Sequence, residues 1–171
     1  SINEDWSELK KLQNPDGGFS WYAGYPSSYY NSLYILKNLG RINEWLKGNL
    51  ADYQSSEQKE MVSQLVKYVD NEVSRYFDVK VAAERSRSNV WSNYVLDYLD
   101  TRHYWEKEYP LKGDGKKMKD LVISKAKIAK ITDFTFFGLH RAALLFDAYN
   151  LKEVSKKLMT FSSLPGSCFN S

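Results

Sequence analysis

Leu12-Gln13-Asn14-Pro15-Asp16-Gly17-Gly18-Phe19-Ser20-Trp21 interrupts a chain that otherwise reads as one helix after another. Asn-Pro-Asp-Gly-Gly cannot continue a helix, because proline lacks the amide proton and biases the residue before it away from the α region. The two glycines admit positive φ and let another backbone approach closely. Gly17 and Gly18 are therefore both predicted at angles unfavourable to a residue with a Cβ. Gln13 enters the bend as a polar anchor, and Phe19 and Trp21 leave it as large aromatics. From the residues alone, this is a sharp joint between two helices with its aromatics buried.

The pattern continues in Gly24-Tyr25-Pro26-Ser27-Ser28 and then Tyr29-Tyr30-Asn31-Ser32-Leu33-Tyr34-Ile35-Leu36. Together these segments resemble the turn-and-inner-helix repeat of α/α toroids, which include prenyltransferases, terpene cyclases and the thioester domains of complement and α2-macroglobulin proteins. The closer resemblance is to large bacterial α2-macroglobulin-like proteins, with their Phe-Ser-Trp and Gly-x-Pro-Ser-Ser. A second stretch, Phe137-Gly138-Leu139-His140-Arg141-Ala142-Ala143-Leu144-Leu145 followed by Asn150-Leu151-Lys152-Glu153-Val154, is similar to the late helix pair of that domain. The likeness spans roughly residues 6 to 162.

Elsewhere the residues predict an all-α fold of antiparallel helical hairpins, and the resemblance makes it a partial α/α toroid (terpenoid cyclase/protein prenyltransferase-like). Asp5 is placed to cap a first helix through Leu12. Ser28 opens a helix to about Leu39, with Gly40 as its C-terminal stop. A short helical piece follows from Arg41 to Tyr53, interrupted near Gly48. Ser55-x-x-Gln58 is a capping box, and Met61, Leu65, Val69, Val73 and Phe77 then recur every four residues. From Ser88 onward, Trp91, Val95 and Leu99 define one face, with Tyr94 and Tyr98 beside it. Asp114 or Gly115 begins a helix to about Lys130. Thr132 or Asp133 caps another through Tyr149, and Asn150-x-x-Glu153 forms a second capping box before Val154, Leu158 and Phe161. Residues 1–162 read as one helical domain, and 163–171 as a frayed polar tail. A toroid has roughly twice as many helices, so the chain reads as a piece of one. Faces around Tyr30, Leu33 and Leu36 and around Val154, Leu158 and Phe161 are then expected to lack neighbours, inviting self-association of the isolated chain.

Composition agrees: among 171 residues there are 5 Trp, 13 Tyr and 8 Phe, while glycine and proline are sparse outside the turn. That favours helices over a many-turned β protein. No apolar run approaches the ~18 residues of a membrane span, so no direct membrane insertion is expected. Net charge is only +3. The lysines from Lys112 to Lys130 are diluted by Asp114 and Asp120 and interleaved with Leu121, Val122, Ile128 and Ile131, as on a solvated helix face rather than a nucleic-acid surface.

Signals for chemistry are few. Cys168 is the only cysteine and no Glu-Gln follows it at thioester spacing, so the Cys-x-Glu-Gln bond of the resembled family has no counterpart here. His103, His140 and Cys168 share no ligand-like spacing. His140 reads as a packing residue on an apolar helix, and His103 as a helix-end residue. Glu106 and Glu108 point to different helix faces. We assign no catalytic, cofactor or metal residue. Gln13, Asp16, Gly17, Gly18, Phe19 and Trp21 are the predicted architectural turn. The resemblance implies a structural domain of a protease-trapping inhibitor of the bacterial cell envelope or periplasm. Its partners would be the other domains of one large parent and, indirectly, proteases. Two other readings stay open. One is an α/α-barrel carbohydrate-active enzyme or glycan-binding module using Trp21, Tyr22, Tyr25, Tyr29, Tyr30 and Tyr34. The other is a helical-repeat scaffold that binds protein.

Overall fold

Helical periodicity becomes seven α-helices in the computed structural model, which describes residues 2–76 and 90–162. They are α1 (Ile2–Lys10), α2 (Tyr29–Trp45), α3 (Ser56–Tyr76), α4 (Asn93–His103), α5 (Gly113–Ala126), α6 (Phe136–Ala148) and α7 (Lys152–Ser162). Leu50–Tyr53 and Ile131–Asp133 are short 3-10 turns. Among the described residues there is no strand beyond one isolated antiparallel bridge, Gln13 to Phe19. The chain is all-α. It forms two compact units, one of Ser1–Tyr76 with Tyr104–Pro110 and the other of Phe77–His103 with Leu111–Ser171.

Short polar side chains set the helix starts. Ser28 Oγ accepts from Asn31 N (3.2 Å), and Ser92 Oγ accepts from Val95 N (3.3 Å). The capping box read from the sequence is present: Ser55 N donates to Gln58 Oε1 (3.0 Å) and Gln58 N to Ser55 Oγ (3.2 Å). Each bond satisfies an amide that the helix leaves open at its first turn. Other boundaries differ from the sequence reading. Asp5 lies inside α1 rather than at its cap. Thr135, not Thr132 or Asp133, caps α6 by accepting from Gly138 N at 3.1 Å. Asp133 instead closes the 3-10 turn, its carboxylate accepting from Lys130 N at 2.8 Å. The helix read to Lys130 ends at Ala126, leaving Ile128 exposed in the following turn.

Two helix ends correct the expected stops. Asn150, read as the first residue of a capping box, sits at φ 62° and terminates α6. Asn150 N donates to Asp147 O (3.0 Å) and Leu151 N reaches back to Phe146 O (2.8 Å), the paired bonds of a Schellman end. Lys47 does the same for α2 at φ 54°, with Lys47 N to Glu44 O (2.9 Å) and Gly48 N to Asn43 O (2.7 Å).

Gly40 is not a stop, because α2 runs through it to Trp45. It is a close-approach site. A Cβ there would meet Tyr104 Cβ at 2.6 Å and Trp105 Nε1 at 3.0 Å. The Trp105 indole fills that notch and donates to Leu36 O at 3.0 Å. Asn43, on the same buried face, accepts from Leu50 N (3.1 Å) and donates to Glu108 Oε1 (3.3 Å). Phe19, Leu33, Leu36, Leu65, Val69 and Val73 complete this core, so of the face expected to lack neighbours Leu33 and Leu36 are covered while Tyr30 stays exposed.

In the second unit the anticipated face Trp91, Val95 and Leu99 is buried with Tyr98. Trp91 meets Phe146 edge-on, with ring centroids 5.6 Å apart. Helix α6 packs against α4 and, most extensively, against α7. Ala142 and Ala143 allow the close α6–α7 approach, and Ser155 Oγ donates to Ala143 O at 2.7 Å. Leu158 is buried and Phe161 remains partly exposed. Ser88, Phe77, Cys168 and the 163–171 tail lie outside the described residues.

Two outcomes follow. Gly40→Ala should cost about 1–3 kcal/mol through overpacking against Tyr104, measured by urea unfolding. Burial and, secondarily, the charges of Glu108 and Glu60 raise the Tyr109 pKa above its ordinary value of 10.0. A raised folded-state pKa gives stability that is fully present below the unfolded value and is lost as pH rises through the folded one. Unfolding midpoints should therefore fall as pH climbs above about 10. Tyr109→Phe should remove part of that fall.

Candidate functional site

The bend from Gln13 to Phe19 leaves backbone groups that no helix can satisfy, and side chains of the motif take them up. Gln13 Nε2 donates both to Gly17 O (3.0 Å) and to Met61 O on α3 (2.9 Å). Asp16 Oδ1 accepts from Gly18 N (2.9 Å) and from Ser27 Oγ (2.7 Å). Asn14 Nδ2 donates to Tyr25 O and to Ser27 Oγ, each at 2.9 Å. Across the bend, Asn14 N donates to Gly18 O at 2.8 Å. Phe19, fully buried, has its amide held by Ser32 Oγ at 2.8 Å. Asn31 Nδ2 donates to Ser20 O (2.9 Å), and Ser20 Oγ donates to Tyr22 O (2.6 Å). The turn is thus tied to α3 on one side and to the first turn of α2 on the other.

Gln13, Asp16, Gly17, Gly18 and Phe19 all take part in this bonded bend. The two glycines, however, act differently. Gly17 adopts φ +90°, and a Cβ there would overlap the Gln64 carbonyl of α3. Gly18 does not have positive φ. It is small because a Cβ would lie 2.7 Å from both Ser27 Cβ and Tyr68 Cζ. The prediction of strain at both positions is corrected: one needs the backbone angle, the other needs the space.

Trp21 departs from the expectation of buried aromatics. It is 62% exposed, and Tyr22, Tyr25, Tyr30 and Tyr34 are exposed between 63% and 73%. Only Tyr29 of the aromatics from Trp21 to Tyr34 is half-buried. The rings of Tyr22 and Tyr25 meet edge-on at 5.8 Å, as do those of Tyr29 and Tyr30. Tyr30 and Tyr34, one turn apart as core residues often are, lie on the outer face of α2, and Trp45 further along is 89% exposed. A hydrogen-bonded turn therefore displays aromatic surface rather than hiding it.

Other candidates are less organised. His140 is exposed, not packed as the sequence suggested. His103 ends α4 with its Nδ1 against the Asp100 carbonyl. Among the described residues no three His, Cys, Asp or Glu side chains gather where a metal could be held. No helix among them is long and apolar enough to cross a membrane. An open cleft of about 620 Å³ lies at the start of α7, lined by Lys127, Asn150, Lys152, Glu153 and Lys157 among others. Its Lys152 is engaged by Asp147 at 2.7 Å. Lys119, in the segment read as a solvated face, lies 4.7 Å from the Tyr149 ring centroid.

Residues quoted in the motif but given no role by the sequence reading are Asn14, Ser20, Ser27, Asn31 and Ser32, which fasten the turn. Their signal is the density of Ser and Asn around Pro26, types that bond readily to nearby backbone. Arg102, fully buried at the end of α4, has no such signal. No protein-family model, curated protein or solved structure matches this chain.

Gly17→Ala should destabilise the chain by more than about 2 kcal/mol, since strain and overlap with a backbone carbonyl combine. Gly18→Ala, opposed only by side chains, should cost about 1–2 kcal/mol. Equal losses in thermal or chemical unfolding would contradict the separate roles of the two glycines.

Proposed function

We propose that these helices are part of an α/α toroid in the thioester-domain region of an α2-macroglobulin-like protein of the bacterial cell envelope. The observation that carries this reading is the use made of the shared motif. The residues that resemble the family, Gln13, Asp16, Gly17, Gly18, Phe19 and Ser27, each take a defined part in bonding or packing the bend. Gln13 spans two carbonyls, Asp16 takes two donors, and Phe19 is fully buried. Gly17 and Gly18 lie against α3 where a side chain has no room. Those demands are architectural, so the motif supports a domain whose task is to hold shape.

In this reading the domain does no covalent chemistry. A bait segment elsewhere in the parent is cut, the molecule rearranges, and the protease is enclosed or tethered. The helical block moves as a body. Its partners are the parent's other domains, with proteases as indirect targets, and its compartment is the periplasm or cell envelope.

The test uses the parent protein. After incubation with trypsin, the enzyme should lose most of its activity on casein while retaining activity on a small chromogenic amide. The parent should also migrate faster in a native gel once cut. Unimpaired casein digestion, with the parent degraded to fragments, would reject the protease-trap reading.

A further inference from the structure

We propose that the outward ridge of α2, extended by the aromatic loop before it, binds an acidic polysaccharide. This goes beyond the protease-trap reading and stands independently of it.

At 3.6 residues per turn, Tyr30, Tyr34, Arg41 and Trp45 fall within about 60° of one another around α2 and run for about 22 Å along it. All four are exposed. The opposite sector holds the buried Ser32, Leu36, Gly40 and Asn43, so the ridge faces away from the core of its own unit. Its residue types separate it from an unfinished core. The buried face of α2 carries Leu33 and Leu36 among Asn31, Ser32, Gly40 and Asn43 and no aromatic ring, whereas the ridge carries rings with a polar edge and a guanidinium, groups that work half in water. Beyond the N-terminus of α2, Trp21, Tyr22 and Tyr25 add three more exposed rings. The loop that carries them is held by Asn14, Asp16 and Ser20. A face already held in place loses little freedom on binding.

Charge selects among ligands. From Trp21 to Asn43 there is no aspartate or glutamate, while Lys37 and Arg41 fall within that stretch. Glu44, at the fringe, is the one carboxylate of α2. A planar guanidinium matches a carboxylate in two parallel hydrogen bonds. The flat C–H face of a pyranose ring covers an aromatic ring, and a uronate carboxylate beside it reaches Arg41. A linear polymer repeats both features along a row. A peptide fits less well. Strand-adding peptides require a sheet edge, and helical or proline-rich ones a groove for their side chains. A convex ridge supplies neither.

The test is affinity electrophoresis of the 171-residue chain in native gels containing polygalacturonate or neutral β-1,4-galactan. Polygalacturonate should retard the chain more strongly, and about 0.5 M salt should weaken that retention. Tyr34→Ala and Trp45→Ala leave the net charge unchanged, so they separate ring stacking from general attraction to a polyanion. Each should lower the affinity by about tenfold or more, as loss of a dominant contact residue does. Arg41→Gln should bring the two polymers towards equal retention. Tyr53→Ala, at an exposed ring outside α2, should bind as the unaltered chain does. Far-UV circular dichroism confirms that each variant is folded. Absence of retention by polygalacturonate overturns the proposal, as does equal retention of Tyr34→Ala, Trp45→Ala and the unaltered chain. Co-sedimentation with phosphatidylglycerol vesicles without retention by the polymer also overturns it and assigns the ridge to a lipid surface.

Discussion

Backbone hydrogen-bond satisfaction at the bend from Gln13 to Phe19 is the constraint on which the first unit depends. Buried peptide groups must find partners, and an unmet one costs about 1–3 kcal/mol. Proline and two glycines stop the helix there, so the partners come from backbone bonds across the bend, such as Asn14 N to Gly18 O and Ser20 N to Leu12 O, and from side chains. Gln13 reaches Met61 on α3, and Ser32 and Asn31 of α2 hold Phe19 and Ser20. One set of bonds therefore fixes the turn, places Phe19 in the core and sets α2 and α3 beside it. Polar bonding and apolar burial meet at Phe19, whose ring lies in the core while its amide donates to Ser32 Oγ.

The same fastening explains why the turn displays rings outward. Two residues after Phe19, the chain has left the core, and Trp21 begins a loop whose shape is set by Ser20, Asn14 and Asp16 rather than by packing of the rings themselves. Large exposed aromatics lose favourable burial, at about 25 cal/mol for each Å² left in water. The fold tolerates this at Trp21, Tyr22, Tyr25, Tyr30, Tyr34 and Trp45 within one unit. Other rings are buried, as with Trp91 against Phe146 and Trp105 against Gly40, while Tyr53 and Phe137 are exposed singly. The alignment of Tyr30, Tyr34 and Trp45 along one side of α2, beside the exposed Trp21, Tyr22 and Tyr25, is the physical basis for the proposal that α2 is a recognition face.

Helix ends show a second economy. Lys47 and Asn150 take the left-handed conformation that glycine usually fills, at about 1–2 kcal/mol of strain for a residue with a Cβ. The bonds they permit to the preceding helix offset it. Gly40, which looked like such an end, was freed to serve as a notch for Trp105.

The sequence by itself determined the all-α class, the apolar stripes of α3 and α4, the capping box at Ser55 and Gln58, and the bend with Gln13, Asp16, Gly17 and Phe19 at its centre. These are local properties: helical period, cap chemistry and turn residues act within a few positions of one another. Tertiary structure alone decided that Trp21, Tyr30 and Tyr34 face outward, since a spacing of four puts residues on one helix face without saying which face is buried. It also decided that Gly18 is small for lack of room, that Gly40 receives an indole, and that Asn150 closes a helix instead of opening one. Each of those outcomes depends on a neighbour distant in sequence, Tyr68 for Gly18 and Trp105 for Gly40, or on which of two adjoining helices claims the junction residue, as at Asn150. No local pattern encodes that choice.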